Sequence, residues 1–306
     1  MRAVVTTEPG AKPQVAEVPI PQPDAGEVLV KVQASSINGF DLSVAGGHVV
    51  AMMEHRFPVV LGKDFAGTVE AVGEGVTGFA AGDRVFGVVT KAYLGDGGFG
   101  EYVTVPEAVG IAKLPEGVDV AAAGALGLAG TAAVDALDAA APQAGETVLV
   151  SGAAGGVGAF AVQYAVAAGA RVVATARPGE EADFVKGLGA HEVVDHTGDL
   201  PAQVRATAPQ GVDVIVHLAG DGSILAQLLT EKGRIASTIG FGADQHPAAT
   251  FVYANPAPAT LDRLAADVAA GRITVPVART YTLDEVPAAF GEFAAGTRGK
   301  IAVTIA

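Results

Sequence analysis

Between the β-branched run Thr147-Val148-Leu149-Val150 and an alanine-rich stretch with helical spacing lies the segment Ser151-Gly152-Ala153-Ala154-Gly155-Gly156-Val157-Gly158. Glycines in such a place let backbone come close to a pyrophosphate, and the helix that follows aims its unpaired N–H groups and positive dipole end at the anion. Gly155, Gly156, Val157 and Gly158 are therefore expected to hold the phosphates of a dinucleotide. One position departs from the usual Gly-x-Gly-x-x-Gly spacing. Ala153 stands where the first glycine belongs, and because alanine fits a tight turn less freely, a slightly wider turn is expected.

A glycine turn by itself is weak evidence, and its surroundings decide its weight. Here a second strand-like run follows, Arg171-Val172-Val173-Ala174-Thr175. About 20 residues past the glycines, such a unit places the residue that reads the ribose 2′ position. Arg177 occupies that place, with no Asp or Glu from Ala174 to Gly179. A carboxylate there would accept from a free 2′-hydroxyl, whereas a cation suits a 2′-phosphate, so NADPH is expected over NADH. The other reading of Arg177 is a solvated loop charge. Thr175 and the loop Ile239-Gly240-Phe241 are expected to line the rest of the cofactor cleft, at the carboxyl ends of the strands.

The rest of the chain falls into two textures. The first third carries short β-like segments punctuated by Gly, Pro and Asp, such as Val28 to Val32, Gly67 to Val72 and Arg84 to Val89. From about Ala121 onward helical and apolar strand-like segments alternate, as in a doubly wound parallel sheet. A helix over roughly Pro258 to Ala270 precedes a β-like tail ending Lys300-Ile301-Ala302-Val303-Thr304-Ile305. The expected fold class is α/β. A Rossmann domain spans 123–271, and a discontinuous β-rich domain spans 1–122 and is completed by 272–306. A length of 306 residues accommodates both.

Composition removes several function classes. Thirty-three acidic residues against 19 basic give a net charge of −14, which repels nucleic acid and anionic membrane surfaces. The longest charge-free apolar run, Val120 to Val134, is too short and glycine-interrupted for a membrane span. The N-terminus lacks the apolar core of a signal peptide, so a cytoplasmic enzyme is expected. With no cysteine in the chain, disulfides, thiolate nucleophiles and thiolate zinc sites are excluded. The six histidines show no metal-binding spacing, so no metal site is expected. No Tyr is followed four positions later by Lys, and neither a Gly-Lys-Ser/Thr phosphate loop nor a Gly-x-Ser-x-Gly elbow is present.

Several stretches in a fixed order add a family signature. They are Ser36-Ile37-Asn38-Gly39-Phe40-Asp41, Phe57-Pro58-Val59-Val60-Leu61-Gly62-Lys63-Asp64-Phe65-Ala66-Gly67 and Val72-Gly73-Glu74-Gly75-Val76. Gly82-Asp83-Arg84-Val85-Phe86-Gly87 and Gly98-Phe99-Gly100-Glu101-Tyr102 follow, and after the glycine turn come Leu188-Gly189-Ala190, Gly233-Arg234 and Gly299-Lys300. Over essentially its whole length the chain resembles the zinc-independent quinone oxidoreductases, the ζ-crystallin-like group of the medium-chain dehydrogenase/reductase superfamily. The resemblance implies a GroES-like catalytic domain beside the Rossmann domain. Zinc-dependent relatives use a Cys near the Asn38 position and a His in Gly-His-Glu, where this chain has Gly62-Lys63-Asp64. Lysine does not replace a neutral imidazole on zinc without giving up its charge.

Without a metal to polarise a carbonyl, the acceptor must itself be electrophilic: a quinone, or an alkene conjugated to a carbonyl. The resemblance therefore implies an NADPH-dependent quinone reductase. The alternatives are an enone, alkenal or enoyl-thioester reductase and a non-catalytic NADPH-binding sensor or structural protein. It places Asn38 near the nicotinamide, its amide donating to the acceptor oxygen; the other reading is a turn residue satisfying nearby backbone. It places Thr131 facing the nicotinamide, where the other reading is a helix-surface or helix-backbone hydrogen bond. His196 falls near the 2′-phosphate, to converge with Arg177 on one anion, or else packs in a loop. Lys63 and Asp64 read as a structural ion pair, with a catalytic pair as the alternative. The segment Met52 to Arg56 is where relatives place the mouth of the substrate cleft. Relatives also pair edge strands into homodimers, for which Thr250 to Tyr253 is the candidate, an interior hairpin being the alternative.

Overall fold

The run Thr147–Ser151 forms an inner strand of a six-stranded sheet in a computed structural model that describes residues 1–305. Every pairing in this sheet is parallel, in the order Glu192–Val194, Arg171–Thr175, Thr147–Ser151, Val212–His217, Leu229–Ser237, Ala249–Phe251. Val148, Leu149 and Val150 are wholly buried, as are Val172 to Ala174 and Val214 to Val216. A sheet covered on both faces needs consecutive apolar residues, which is why these strands read as unbroken β-branched runs rather than as alternation. The strand order reverses at Thr147–Ser151, the point where such sheets bind ligands beyond their carboxyl ends. Ala249–Phe251 ends the sheet as an edge strand parallel to its neighbour, so it is not part of a hairpin.

The helix Gly156–Ala167 packs on the strands Thr147–Ser151 and Arg171–Thr175. Its residues from Gly158 to Val162, with Tyr164 and Ala165, are buried, so it is a core helix with almost no polar face.

The other unit comprises Met1–Ala129, Pro256–Gly271 and the chain from Val275 onward, while Gly130–Asn255 and Arg272–Thr274 make up the nucleotide-type unit. The helix Pro258–Ala269 thus groups with the β-rich unit, whereas the sequence boundary placed it in the Rossmann domain. It packs on the strand Ile111–Lys113, and the Gly110 N–H donates to the Pro256 carbonyl at 3.0 Å. Residues 272–274 return to the Rossmann unit through Gln163, which accepts from the Thr274 N–H at 2.8 Å. A helix carries no sequence mark of which sheet covers it, so adjacency along the chain misassigned this one.

In the β-rich unit the long strand Glu27–Ile37 pairs with Asp64–Val72, Tyr102–Pro106 and the tail strand Lys300–Thr304, all antiparallel. Register places chemistry here. Ile301 lies opposite Ile37, so Lys300 arrives beside Asn38, and Ala66 opposite Ala34 brings Asp64 level with Ser36. Phe65, Phe99, Ile37 and Ile301 are fully buried around this junction. Among the described residues no helix is long and apolar enough to cross a membrane.

Phe160 is the largest side chain the Gly156–Ala167 helix buries completely. Phe160→Ala is expected to cost about 3–5 kcal/mol, the usual penalty for emptying a buried aromatic site. Urea unfolding followed by circular dichroism checks it, and a loss below ~1 kcal/mol would mean the helix is held elsewhere.

Candidate active site

Gly152, not Ala153, makes the tight turn after the central strand. Gly152 has φ +82°, a left-handed conformation that glycine adopts without strain, while Ala153 is buried in an ordinary one. The wider turn expected from Ala153 is therefore not needed, because the left-handed position is shifted by one residue. Thr175 accepts from the Gly152 N–H at 2.9 Å and is itself buried, so it braces the turn from the neighbouring strand. A Cβ on Gly158 would lie 2.2 Å from the Gly152 carbonyl oxygen, so only glycine lets the helix start this close to the strand. Around Gly155 a Cβ would meet nothing nearer than 3.4 Å, which leaves room over the turn. The first helical N–H groups, of Gly156, Val157 and Gly158, have no partner within the helix, and no side chain caps it. These residues fit a pyrophosphate.

Arg177 and His196 converge on one anion, and that anion is the carboxylate of Glu181. Arg177 Nε donates to Glu181 Oε1 at 2.8 Å, a terminal guanidinium N–H donates to the same oxygen, and the Arg177 backbone N–H donates to Oε2 at 2.9 Å. His196 Nε2 lies 4.0 Å from Oε2. Hydrogen bonding from Arg177 holds the Glu181 carboxyl below the usual range. The sequence search for acids stopped at Gly179, and one helical turn carries Glu181 back over Arg177 at i,i+4 spacing, the signal that would have found it.

At the end of the next strand, His217 is buried, with Nδ1 3.0 Å from Ser237 Oγ and Nε2 3.1 Å from the Gly220 carbonyl. Ser237 Oγ also accepts from the N–H groups of Ile239 and Phe241. These two residues, which the sequence reading passed over, shape the predicted loop. Ile239 is exposed, Gly240 has φ +82°, and Phe241 is buried with its edge toward the His217 ring.

In the β-rich unit, strand register gathers a buried polar cluster. Asp64 Oδ2 accepts from Ser36 Oγ and from Asn38 Nδ2 at 2.8 Å, and lies 3.6 Å from Lys300 Nζ; Asp64 Oδ1 accepts from the Leu128 N–H at 2.7 Å. Lys300 Nζ also donates to Asn38 Oδ1 at 2.6 Å and to the Ile37 carbonyl. Asn38 Nδ2 donates in addition to the Ser36 carbonyl at 3.3 Å, so the amide has partners for its donors and its acceptor alike. The Lys63–Asp64 ion pair expected from sequence is replaced by Lys300–Asp64. Successive side chains of extended backbone point to opposite sides, and Lys63 Nζ instead donates to the Val89 carbonyl. Burial pushes the Lys63 and Lys300 ammonium groups down from their ordinary range.

Among the described residues two buried side-chain atoms have no partner: Thr131 Oγ1 and His55 Nε2. Thr131 is fully buried and makes no backbone bond, which removes both the helix-surface and helix-backbone readings. A buried hydroxyl without a partner costs about 1–3 kcal/mol, so a ligand that pairs with it gains that much. His55 sits in the segment resemblance assigned to the cleft mouth, its Nδ1 2.8 Å from the Met53 carbonyl and its ring stacked on Phe57. With Nδ1 donating, Nε2 is an open acceptor. Phe99 belongs to the core, its ring against that of Phe290. Among the described residues no three His, Asp or Glu side chains gather to hold a metal ion.

Residues 24–116 match the family described as alcohol dehydrogenase GroES-like domain, and residues 156–265 match the family described as zinc-binding dehydrogenase. The chain is 36% identical over 229 residues to the chloroplast envelope quinone oxidoreductase homolog of Arabidopsis thaliana, covering 72% of this chain and 68% of that one. The quinone oxidoreductase of Coxiella burnetii superposes with a TM-score of 0.89 at 26% identity, covering 100% of this chain and 99% of that one. A mycobacterial protein solved in complex with NADPH superposes with a TM-score of 0.86 at 28% identity over 99% of each chain.

Asp41, whose Oδ2 accepts from the Asn38 N–H at 2.8 Å, is fully enclosed, and burial pushes its carboxyl up to about 7. Folded, it keeps its proton to about pH 7, and unfolded only to about pH 4. Stability from this group is thus complete below pH 4 and is lost as pH rises through 7. Asp41→Asn, neutral throughout, is expected to gain ~2 kcal/mol on the parent between pH 5 and pH 8. Urea titrations at both pH values measure this; a parent-to-variant gap independent of pH would contradict it.

Proposed function

The chain belongs to the quinone oxidoreductase family of the medium-chain dehydrogenase/reductase superfamily, and on that premise we propose that it is an NADPH-dependent reductase delivering hydride to a quinone. What supports the cofactor is the strand, glycine turn and core helix, with Arg177 and His196 both at the Glu181 carboxylate, at the distance beyond the turn where such folds read the ribose 2′ group. When bound, the reduced nicotinamide supplies the hydride, and the protein's share is binding, orientation and exclusion of water.

In this reading the N–H groups of Gly156, Val157 and Gly158 hold the pyrophosphate, while Gly155, whose N–H donates to the Gly152 carbonyl at 3.1 Å, lets it approach the turn and Thr175 fixes the turn beneath them. Arg177 and His196 meet the 2′-phosphate. Ser237 and His217 hold the Ile239-Gly240-Phe241 loop in shape for the cofactor. Thr131 Oγ1, buried and unpartnered, donates to the nicotinamide carboxamide or to the acceptor oxygen. Asn38 has its amide engaged by Asp64, Ser36 and Lys300, which makes it a positioning residue that holds the buried cluster rather than a donor to the acceptor. A quinone is itself electrophilic, so this reading asks for no metal to polarise the acceptor. A conjugated enone or alkenal is the second reading, favoured by the adaptable and largely exposed Met52 of the cleft-mouth segment. A cytoplasmic homodimer belongs to the same proposal, with the exposed Tyr253 next to the Ala249–Phe251 edge strand as its support.

Oxidation of NADPH and NADH, followed by absorbance with 1,4-benzoquinone or an aliphatic enone, tests the reading. Faster oxidation of NADPH than NADH with the quinone is expected; NADPH turnover with the enone alone would install the second reading instead. Thr131→Val, nearly isosteric, is expected to lower kcat/KM by roughly 10-fold to 100-fold while leaving the thermal midpoint unchanged or raised, since it also removes an unpaired buried hydroxyl. An unaltered kcat/KM would take Thr131 out of the site.

A further inference from the structure

Glu181 stands among the residues that the NADPH reading needs for the 2′-phosphate, and the inference drawn from it rests on that reading. An acid in the first turn of the helix Glu180–Gly187 has an ordinary explanation, since carboxylates favour the positive end of a helix. That explanation does not account for the contacts. Glu181 takes two side-chain donors of Arg177 on one oxygen and the Arg177 backbone N–H on the other, and its second oxygen faces His196. The carboxylate is only 15% exposed, whereas the Arg177 side chain is 56% exposed, so the anion sits on the inner side of the pair. Both residues assigned to a phosphate dianion already have a carboxylate between them.

We propose that Glu181 is the specificity-determining residue of the 2′ corner: its carboxylate competes with the 2′-phosphate for Arg177 and His196 and so limits the preference for NADPH over NADH. A phosphate entering the corner has to take Arg177 from Glu181, or share it against a like charge a few ångströms away. A dinucleotide with a free 2′-hydroxyl escapes that repulsion. It also finds in Glu181 the kind of acceptor that ribose hydroxyls use. The guanidinium has donors to spare, so exchange requires a rotation of one exposed side chain and no change of backbone.

The test is equilibrium binding by isothermal titration of NADPH, NADH, 2′,5′-ADP and 5′-AMP to the whole protein and to Glu181→Gln. Glutamine keeps an oxygen for the Arg177 backbone N–H and replaces the other, with its charge, by an amide NH2 that cannot accept from the guanidinium. The expected result is about tenfold tighter binding of NADPH and 2′,5′-ADP, with NADH and 5′-AMP unchanged or weaker. In the double variant Arg177→Ala/Glu181→Gln that gain disappears, because no freed cation remains. Weaker NADPH binding by Glu181→Gln would show that the carboxylate serves only to orient Arg177, and would overturn the proposal. Equal affinities for all four probes before and after the substitution would also overturn it. A parent protein that binds NADH alone and gains NADPH as Glu181→Gln would refute the NADPH reading while supporting the role of Glu181.

Discussion

A carboxylate sealed from solvent is the constraint on which the β-rich unit is organised. Asp64 has no exposed surface, and three separate stretches of chain bring donors to it. Ser36 and Asn38 come from the end of the long strand, Leu128 from the start of a helix, and Lys300 from the tail strand. Removing a buried ion from water costs several kcal/mol, and the cost is recovered only when both oxygens are bonded and a counter-charge is near. Displacement of any of the three segments leaves a buried carboxylate oxygen short of a partner, so the cluster ties residues far apart in sequence into one arrangement. The same geometry engages both the donors and the acceptor of the Asn38 amide.

The Rossmann unit solves the opposite problem. Its turn is built without charged side chains, from a left-handed glycine, a threonine brace and a helix whose interior-facing surface is nearly all apolar. Rigidity comes from packing of that helix on the two inner strands, while the N–H groups at its start stay free. Beyond the turn Arg177, Glu181 and His196 meet in partial contact with water.

Particular residues show where sequence was legible. The strand and helix around the glycine turn were readable because a doubly covered strand must be continuously apolar. Ala153 misled by a single residue, since a glycine count does not say which glycine takes the positive φ; the structure gives it to Gly152. Glu181 escaped a window drawn along the chain, although a helical turn folds it back onto Arg177. Lys63 next to Asp64 suggested a pair that extended backbone forbids. The true partner, Lys300, is brought in only by strand pairing.

Local chemistry alone determined the α/β class, the dinucleotide turn, the return of the tail to the first unit and the lack of thiolate chemistry. Each follows from periodicity, backbone freedom or residue type within a few tens of positions, and so is written in the order of the residues. Tertiary structure alone decided which cation neutralises Asp64, that Asn38 is fully hydrogen-bonded, that Thr131 is buried without a partner, and that the helix Pro258–Ala269 joins the β-rich unit. Those outcomes depend on register and packing between segments distant in the chain, whose cost or gain is set by burial. Burial is a property of the folded surface and not of any stretch of sequence.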